Sequence, residues 1–156
     1  MVERGGGMNE GDRMPAVSVA GADGPIALSD VQGRAVIYFY PKDDTPGCTR
    51  EAQDFSALAN DFATAGVRVI GVSKDSAASH AKFSGKHGLT VELASDGDGS
   101  VCDAFGVWGE KSMYGKTYMG VERATFLFDG GRLVRAWRKV KVPGHAAAVL
   151  EAARAL

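Results

Sequence analysis

Cysteine is scarce in this chain, with two in 156 residues, Cys48 and Cys102. Two are too few for a disulfide framework, and neither a CxxC pair nor a Cys/His ligand spacing occurs, so no structural metal site is expected. Long apolar runs are absent as well. None reaches the roughly 18 residues that a bilayer crossing needs, and the N-terminal stretch lacks a basic segment followed by an apolar one. Charge of one sign is missing too: 18 basic residues stand against 19 acidic ones without a long block of either. That balance excludes a nucleic-acid footprint and a polybasic membrane patch. The glycine-rich stretches match neither a phosphate-binding loop nor a dinucleotide fingerprint, so no cofactor is expected. A small molecule or a protein is the expected partner, and a reducing cytoplasm the expected setting. The three histidines, His80, His87 and His145, are scattered. Surface or helix-end positions are expected for them.

What is present describes one domain. Residues 1–11 are polar and glycine-rich and read as a disordered tail, with Met8 an alternative start, and residues 12–156 read as a single globular domain. Val17 to Val19 and Ile26 to Leu28 flank a glycine-rich turn, as a small hairpin would. Ala35 to Tyr40 is a continuous apolar run suited to the centre of a sheet. A helix over 49–65, stopped by Gly66, leads into a second buried strand, Val67 to Val72, which makes a βαβ unit and a parallel pair. Asp75 or Ser76 caps a helix ending at His87 and Gly88, Val91 to Ala94 is a short strand, and a further helical turn holds Cys102. Asp129-Gly130-Gly131 joins two antiparallel strands, 125–128 and 133–137. A last helix runs from about His145 to Ala155. This order predicts an α/β sandwich of the thioredoxin type, with a central mixed sheet flanked by helices and an N-terminal hairpin.

The densest chemistry lies where the first central strand breaks at Pro41 and the chain delivers Cys48 to the first turn of a helix. Free amides and the positive end of the helix dipole favour a thiolate there. Most cysteines are inert buried residues, Thr45 alone would be a helix cap, and Pro41 and Pro46 alone would be loop punctuation. Tyr40 reads as a core aromatic, and Trp108 and Trp137 as packing residues.

Three segments carry a resemblance: FYPKDDTPGCTRE at 39–51, FGVWGEKSMYGKTYMGVERATFLFDGG at 105–131 and KVKVPGHAAAVL at 139–150. Together they resemble the peroxiredoxins, and within them the bacterioferritin comigratory protein or peroxiredoxin Q group. The resemblance implies a thioredoxin-like fold of the peroxiredoxin type and a thiol-dependent peroxidase acting on hydrogen peroxide and organic hydroperoxides. It implies that Pro41, Thr45 and Cys48 form a Pro-x-x-x-Thr-x-x-Cys site, completed by Arg123 from a neighbouring strand end. Gly47 is expected to contribute backbone donors, and Glu51 to orient the network without acting as a base. The chemistry suits these types, because a thiolate attacks one peroxide oxygen and leaves a sulfenic acid. Lowering a thiol's pKa also lowers its intrinsic nucleophilicity, so donors to the leaving oxygen are needed as well.

The sequence departs from its group at the second half of the cycle. A resolving cysteine five residues after the first would fall at Gln53, and one in the next helix would fall at Ser84. Neither side chain forms a disulfide. The expected outcome is a one-cysteine cycle, with thioredoxin, glutaredoxin or glutathione attacking the Cys48 sulfenic acid directly, a monomeric protein and a rigid first helical turn. The alternatives are a disulfide to Cys102, requiring Cα atoms within roughly 7 Å, or a redox-sensing or chaperone-like binding module. A disulfide reductase is disfavoured, since Cys48 is followed by Thr49, Arg50 and Glu51 where such enzymes carry CxxC.

Overall fold

Residues 8–156 are described here from a computed structural model. Nine strands and five helices follow one another as β1 (Ser18–Gly21), β2 (Gly24–Ala27), β3 (Arg34–Phe39), α1 (Pro46–Ala57), α2 (Ala59–Thr64), β4 (Val67–Ser73), α3 (Ala77–His87), β5 (Glu92–Ser95), α4 (Ser100–Ala104), β6 (Trp108–Met113), β7 (Lys116–Val121), β8 (Ala124–Asp129), β9 (Arg132–Trp137) and α5 (His145–Arg154). A seven-stranded sheet has the order β2-β1-β5-β4-β3-β8-β9. Its β5-β4-β3 portion is parallel, and β1, β2, β8 and β9 add antiparallel pairs at the two sides. This is the expected mixed sheet, with the run from Arg34 in an interior position.

Side-chain alternation along β3 builds two cores. Val36, Tyr38 and Tyr40 point to one face, where Phe55 of α1, Phe62 of α2, Phe83 of α3 and Val149 of α5 cover them. Ile37 and Phe39 point to the other, where Val101 and Cys102 of α4 join Phe105 and Phe126. An interior strand covered on both faces must be apolar at every position, so the sequence shows a run without alternation. Cys48 belongs to the first of these clusters and Cys102 to the second.

Several expectations shift on inspection. The first helix starts at Pro46, where its fixed φ and missing N–H suit the first helical position. The single helix over 49–65 is two, broken at Leu58, whose N–H reaches back to Phe55 O at 3.2 Å. Ser56 Oγ accepts from the amides of Thr90 and Val91, tying that break to the loop before β5. The β6–β7 hairpin was not expected. Its turn residues, Tyr114 and Gly115, both have positive φ, and its strands are largely exposed, so no apolar alternation betrays it. Trp108, expected to pack, is exposed and carries the Lys74 ammonium 4.2 Å above its ring.

The expected tail falls largely on residues 1–7, which lie outside the described residues. Residues 8–11, assigned to the same tail, are held: Met8 packs against the α4-side core and Gly11 N donates to Leu133 O at 2.8 Å. His80 departs from a surface or helix-end placement, being buried within α3, whereas His145 opens α5 as a helix-end residue and is buried there.

Gly71 on β4 is where the fold tolerates no side chain. A Cβ there would lie 2.5 Å from Tyr38 Cζ, and Tyr38 cannot easily retreat because its ring stacks on Phe55 with centroids 4.5 Å apart. Gly71→Ala is therefore expected to destabilise by about 1–3 kcal/mol, the usual penalty of overpacking a core. Urea denaturation measures this, and an unchanged midpoint would show that the Tyr38 ring moves freely.

Candidate active site

Thr45 occupies the N-cap of α1 and Cys48 the third helical position. The first helical bond of that turn runs from Thr49 N to Thr45 O at 2.8 Å. The amides of Gly47 and Cys48 precede it and point out of the helix end as donors. Cys48 is 2% exposed.

Arg123 lies in the junction between β7 and β8, the latter neighbouring β3 in the seven-stranded sheet, and reaches across to α1. Its Nη1 donates to Glu51 Oε1 at 2.6 Å and its Nη2 to Cys48 Sγ at 3.4 Å. A guanidinium so placed stabilises negative charge on sulfur and retains its own charge throughout. Gly47 makes room for it: a Cβ at that position would meet Arg123 Nη2 at 3.1 Å.

Glu51 is 1% exposed, and among the described residues its Oε2 has no partner. Burial pushes its carboxyl up to about 7, with Arg123 pulling the other way and losing. Nearby, Thr125 Oγ1 and His145 Nε2 lie 2.8 Å apart. Burial first, and then the Arg123 charge, lower His145 to about 4, so its imidazole is neutral near pH 7.

Thr45 holds the expected cap position, but its side chain does not cap. Its hydroxyl donates to Lys42 O at 2.8 Å, and it makes no side-chain capping bond. The proton thus closes the 42–45 loop in this arrangement. Pro41 and Arg123 both line a cleft of about 540 Å³ that also takes in Trp108, Lys111 and Val140. Substrate approaching Arg123 has this opening available.

Cys102 is not brought to the site. It is fully buried in the core on the opposite face from Cys48. Burial, reinforced by Asp96, raises its thiol far above the usual range. The Cys102 amide donates to Asp96 Oδ2 at 2.7 Å, fixing α4 in place. The proximity that the alternative Cys48–Cys102 disulfide would require is therefore absent from this fold, because the sheet stands between them.

Sequence reasoning missed a buried polar cluster against the Pro41–Thr45 loop. Tyr40 OH donates to Asp43 Oδ1 at 2.6 Å, and His80 Nδ1 lies 2.7 Å from Asp43 Oδ2. A pairing across 37 residues leaves no local signal. An aspartate two residues into a loop and a histidine on a helix each look ordinary alone.

Comparison with known proteins is consistent with this geometry. A family model described as AhpC/TSA family matches residues 11–137. Peroxiredoxin Bcp of Xanthomonas campestris is 57% identical over 121 residues, spanning 77% of this chain and 76% of that protein. Peroxiredoxin Bcp of Bacillus subtilis is 47% identical over 144 residues, 90% of this chain and 92% of that one. A solved trapped intermediate/ligand complex of the Xanthomonas campestris bacterioferritin comigratory protein, bearing on that protein's alkyl peroxide reduction activity, superposes with a TM-score of 0.85. It is 47% identical and covers 94% of this chain and 98% of that one.

Two measurements probe the site. Arg123→Met is expected to slow oxidation of Cys48 by peroxide by about 10²-fold or more, as loss of one preorganised donor does, read from the rate at which the free thiol disappears. Glu51 makes a pH-dependent contribution of known sign. Its folded pKa lies above the unfolded one, so the folded state holds more protons and stability falls as pH rises from 4.5 to about 7. His145, lowered, acts oppositely as pH falls from 6.5 to about 4, so the test uses a difference. The stability of the parent protein relative to Glu51→Gln should be lower at pH 8 than at pH 5 in urea denaturation; a constant difference would refute the assignment.

Proposed function

The chain belongs to the AhpC/TSA family and is a peroxiredoxin, a thiol-dependent peroxidase; from that premise we propose that Cys48 is its peroxide-reducing nucleophile and that an external thiol regenerates it. The observation that carries the assignment is the single guanidinium of Arg123 shared between Cys48 Sγ and Glu51. A thiolate on Cys48 attacks the nearer oxygen of a hydroperoxide in line with the O–O bond. The S–O bond forms as the O–O bond breaks, hydroxide or alkoxide leaves and takes a proton from solvent, and Cys48 becomes a sulfenic acid. Arg123 and the amides of Gly47 and Cys48 stabilise the charge that moves onto the departing oxygen. Thr45 joins them by rotating its hydroxyl from Lys42 O toward the oxygens. Pro41, with no N–H, shapes the wall without competing for hydrogen bonds.

The sulfenic acid then condenses with an external thiol, releasing water and leaving a mixed disulfide. A second thiol displaces Cys48 from it and is itself oxidised to the disulfide. Glutathione, glutaredoxin or thioredoxin has the chemistry for both steps. The separation of Cys48 and Cys102 across the sheet supports this route over an internal disulfide, as does the poor nucleophilicity of a fully buried, protonated Cys102 thiol. Our reading also takes the protein to be a cytoplasmic monomer. No described helix is long and apolar enough to cross a membrane, and gel filtration tests the oligomeric state.

Intact mass after one equivalent of hydrogen peroxide tests the cycle. The expected product gains one oxygen, or a dimedone adduct when the trap is present, and Cys102→Ser behaves alike. Loss of two hydrogens that Cys102→Ser abolishes would overturn the one-cysteine cycle, and an unreactive Cys48 would overturn the peroxidase assignment of this residue.

A further inference from the structure

The Pro41–Thr45 loop carries two consecutive carboxylates, Asp43 and Asp44, and α3 grips both. Asp43 is buried and accepts from Tyr40 OH on one oxygen and from Ser79 Oγ, at 2.8 Å, on the other. His80 Nδ1 sits 2.7 Å from that second oxygen, while His80 Nε2 sits 3.0 Å from the carbonyl of Ala94 on β5. A carbonyl only accepts, so Nε2 carries a proton. A carboxylate already taking two hydroxyl donors also accepts, so Nδ1 carries one too. Burial works against the Asp43 charge, yet the bonds from His80, Tyr40 and Ser79 outweigh it and hold the carboxyl below its usual range. Nearly two turns further along α3, Lys86 Nζ and His87 Nε2 each reach Asp44 at 2.8 Å. Asp44 has a φ of 59°, a conformation that a non-glycine residue keeps only when its surroundings hold it.

Among the described residues none of these groups hydrogen-bonds the Cys48 sulfur, whose one such partner is Arg123, and the peroxidase cycle assigns them no step. They determine where the loop lies. We infer that α3 is a fixed brace for the peroxide-binding loop and that His80, bridging Asp43 and Ala94 with both ring N–H groups, is a positioning residue for the oxidation of Cys48. The inference rests on Cys48 being the nucleophile. It explains why a helix free of any cysteine is bound so firmly to the loop: Ser84 lies between the two grips and has no disulfide to form, so nothing requires α3 to leave. The brace keeps Pro41 and Thr45 in register with the first turn of α1, and small misplacements of such groups have large kinetic effects.

The test measures the second-order rate of Cys48 oxidation by hydrogen peroxide, from dimedone-trapped mass at quenched times. His80→Ala and Asp43→Asn are each expected to slow it by about 10-fold or more, while the exposed Lys82→Ala on the same helix leaves it unchanged. His80 lines a cavity of about 330 Å³ with Ala77, Ala81 and Leu93, through which a small ring can enter. Imidazole should restore the rate of His80→Ala, whereas 1-methylimidazole, with one ring nitrogen blocked, should not. Equal rescue by both would overturn the two-donor bridge, and parent-like rates in the variants would overturn the brace. Should either variant fail to fold, Ser79→Ala removes one donor and leaves the pair in place. It is expected to slow oxidation about two- to fivefold, and a parent-like rate in it would equally overturn the brace. If the parent protein itself forms no adduct on Cys48, the nucleophile assignment fails instead, so the two failures are distinct.

Discussion

One guanidinium organises the reactive end of this molecule. Arg123 must meet Cys48 Sγ and Glu51 Oε1 at the same time, and it arrives from a junction between strands, not from the helix that carries them. That demand reaches back into the fold. The β7–β8 junction has to lie against the first turn of α1, which follows because β8 is hydrogen-bonded to β3 and α1 emerges directly after β3. Glycine at position 47 leaves Arg123 room to cross, since a Cβ there would crowd Nη2 at 3.1 Å. Glu51, one turn after Cys48, shares the buried side of the helix, so one carboxylate anchors the cation beside the sulfur. Burial lifts that carboxyl to about 7 against the pull of the guanidinium. Its second nitrogen remains directed at sulfur.

The sheet imposes the other large constraint. Because adjacent residues of an interior strand face opposite cores, an element packed on one face cannot exchange covalent bonds with the other face without unpacking the domain. Cys48 and Cys102 fall on opposite sides of that barrier. The two thiols also stand in different surroundings. Cys48 stands at a helix end with donors and a cation around it, while Cys102 stands in an apolar core beside the Asp96 carboxylate, where burial keeps its proton bound.

How much of this the sequence revealed depends on the range of each interaction. The strand-to-helix delivery of Cys48 is local, written in an apolar run, a proline and a helical pattern within some twenty residues, and it is read correctly. The β8–β9 hairpin announces itself through Asp129-Gly130-Gly131 in the same way. Arg123 carries no local mark and is legible only through resemblance to a family, since its role exists only once β7, β8 and α1 meet. The β6–β7 ribbon is nearly all exposed, so the alternation that betrays a half-buried strand never forms. The helix break at Leu58 and the burial of His80 depend on partners more than thirty residues away, Thr90 and Asp43, and no window along the chain contains both ends.

The one-cysteine cycle we propose changes what the rest of the site must do. A peroxidase that closes its own disulfide has to unfold the turn around its nucleophile during each cycle, so its loop must be held loosely. At an i to i+5 spacing alone the two residues are displaced by about 7.5 Å along the helix axis. With Gln53 and Ser84 at the two places where such a partner is expected, that unfolding serves no purpose here, and the loop carries grips on both Asp43 and Asp44. Firm holding has a chemical consequence. A sulfenic acid that stays in a folded, peroxide-binding pocket meets a second peroxide under the same favourable conditions as the first, and further oxidation to the sulfinic state competes with reduction. The proposed cycle therefore depends on how readily an external thiol reaches Cys48, which is buried, and a cleft lined by Pro41, Lys111 and Val140 opens at the Arg123 guanidinium that contacts its sulfur.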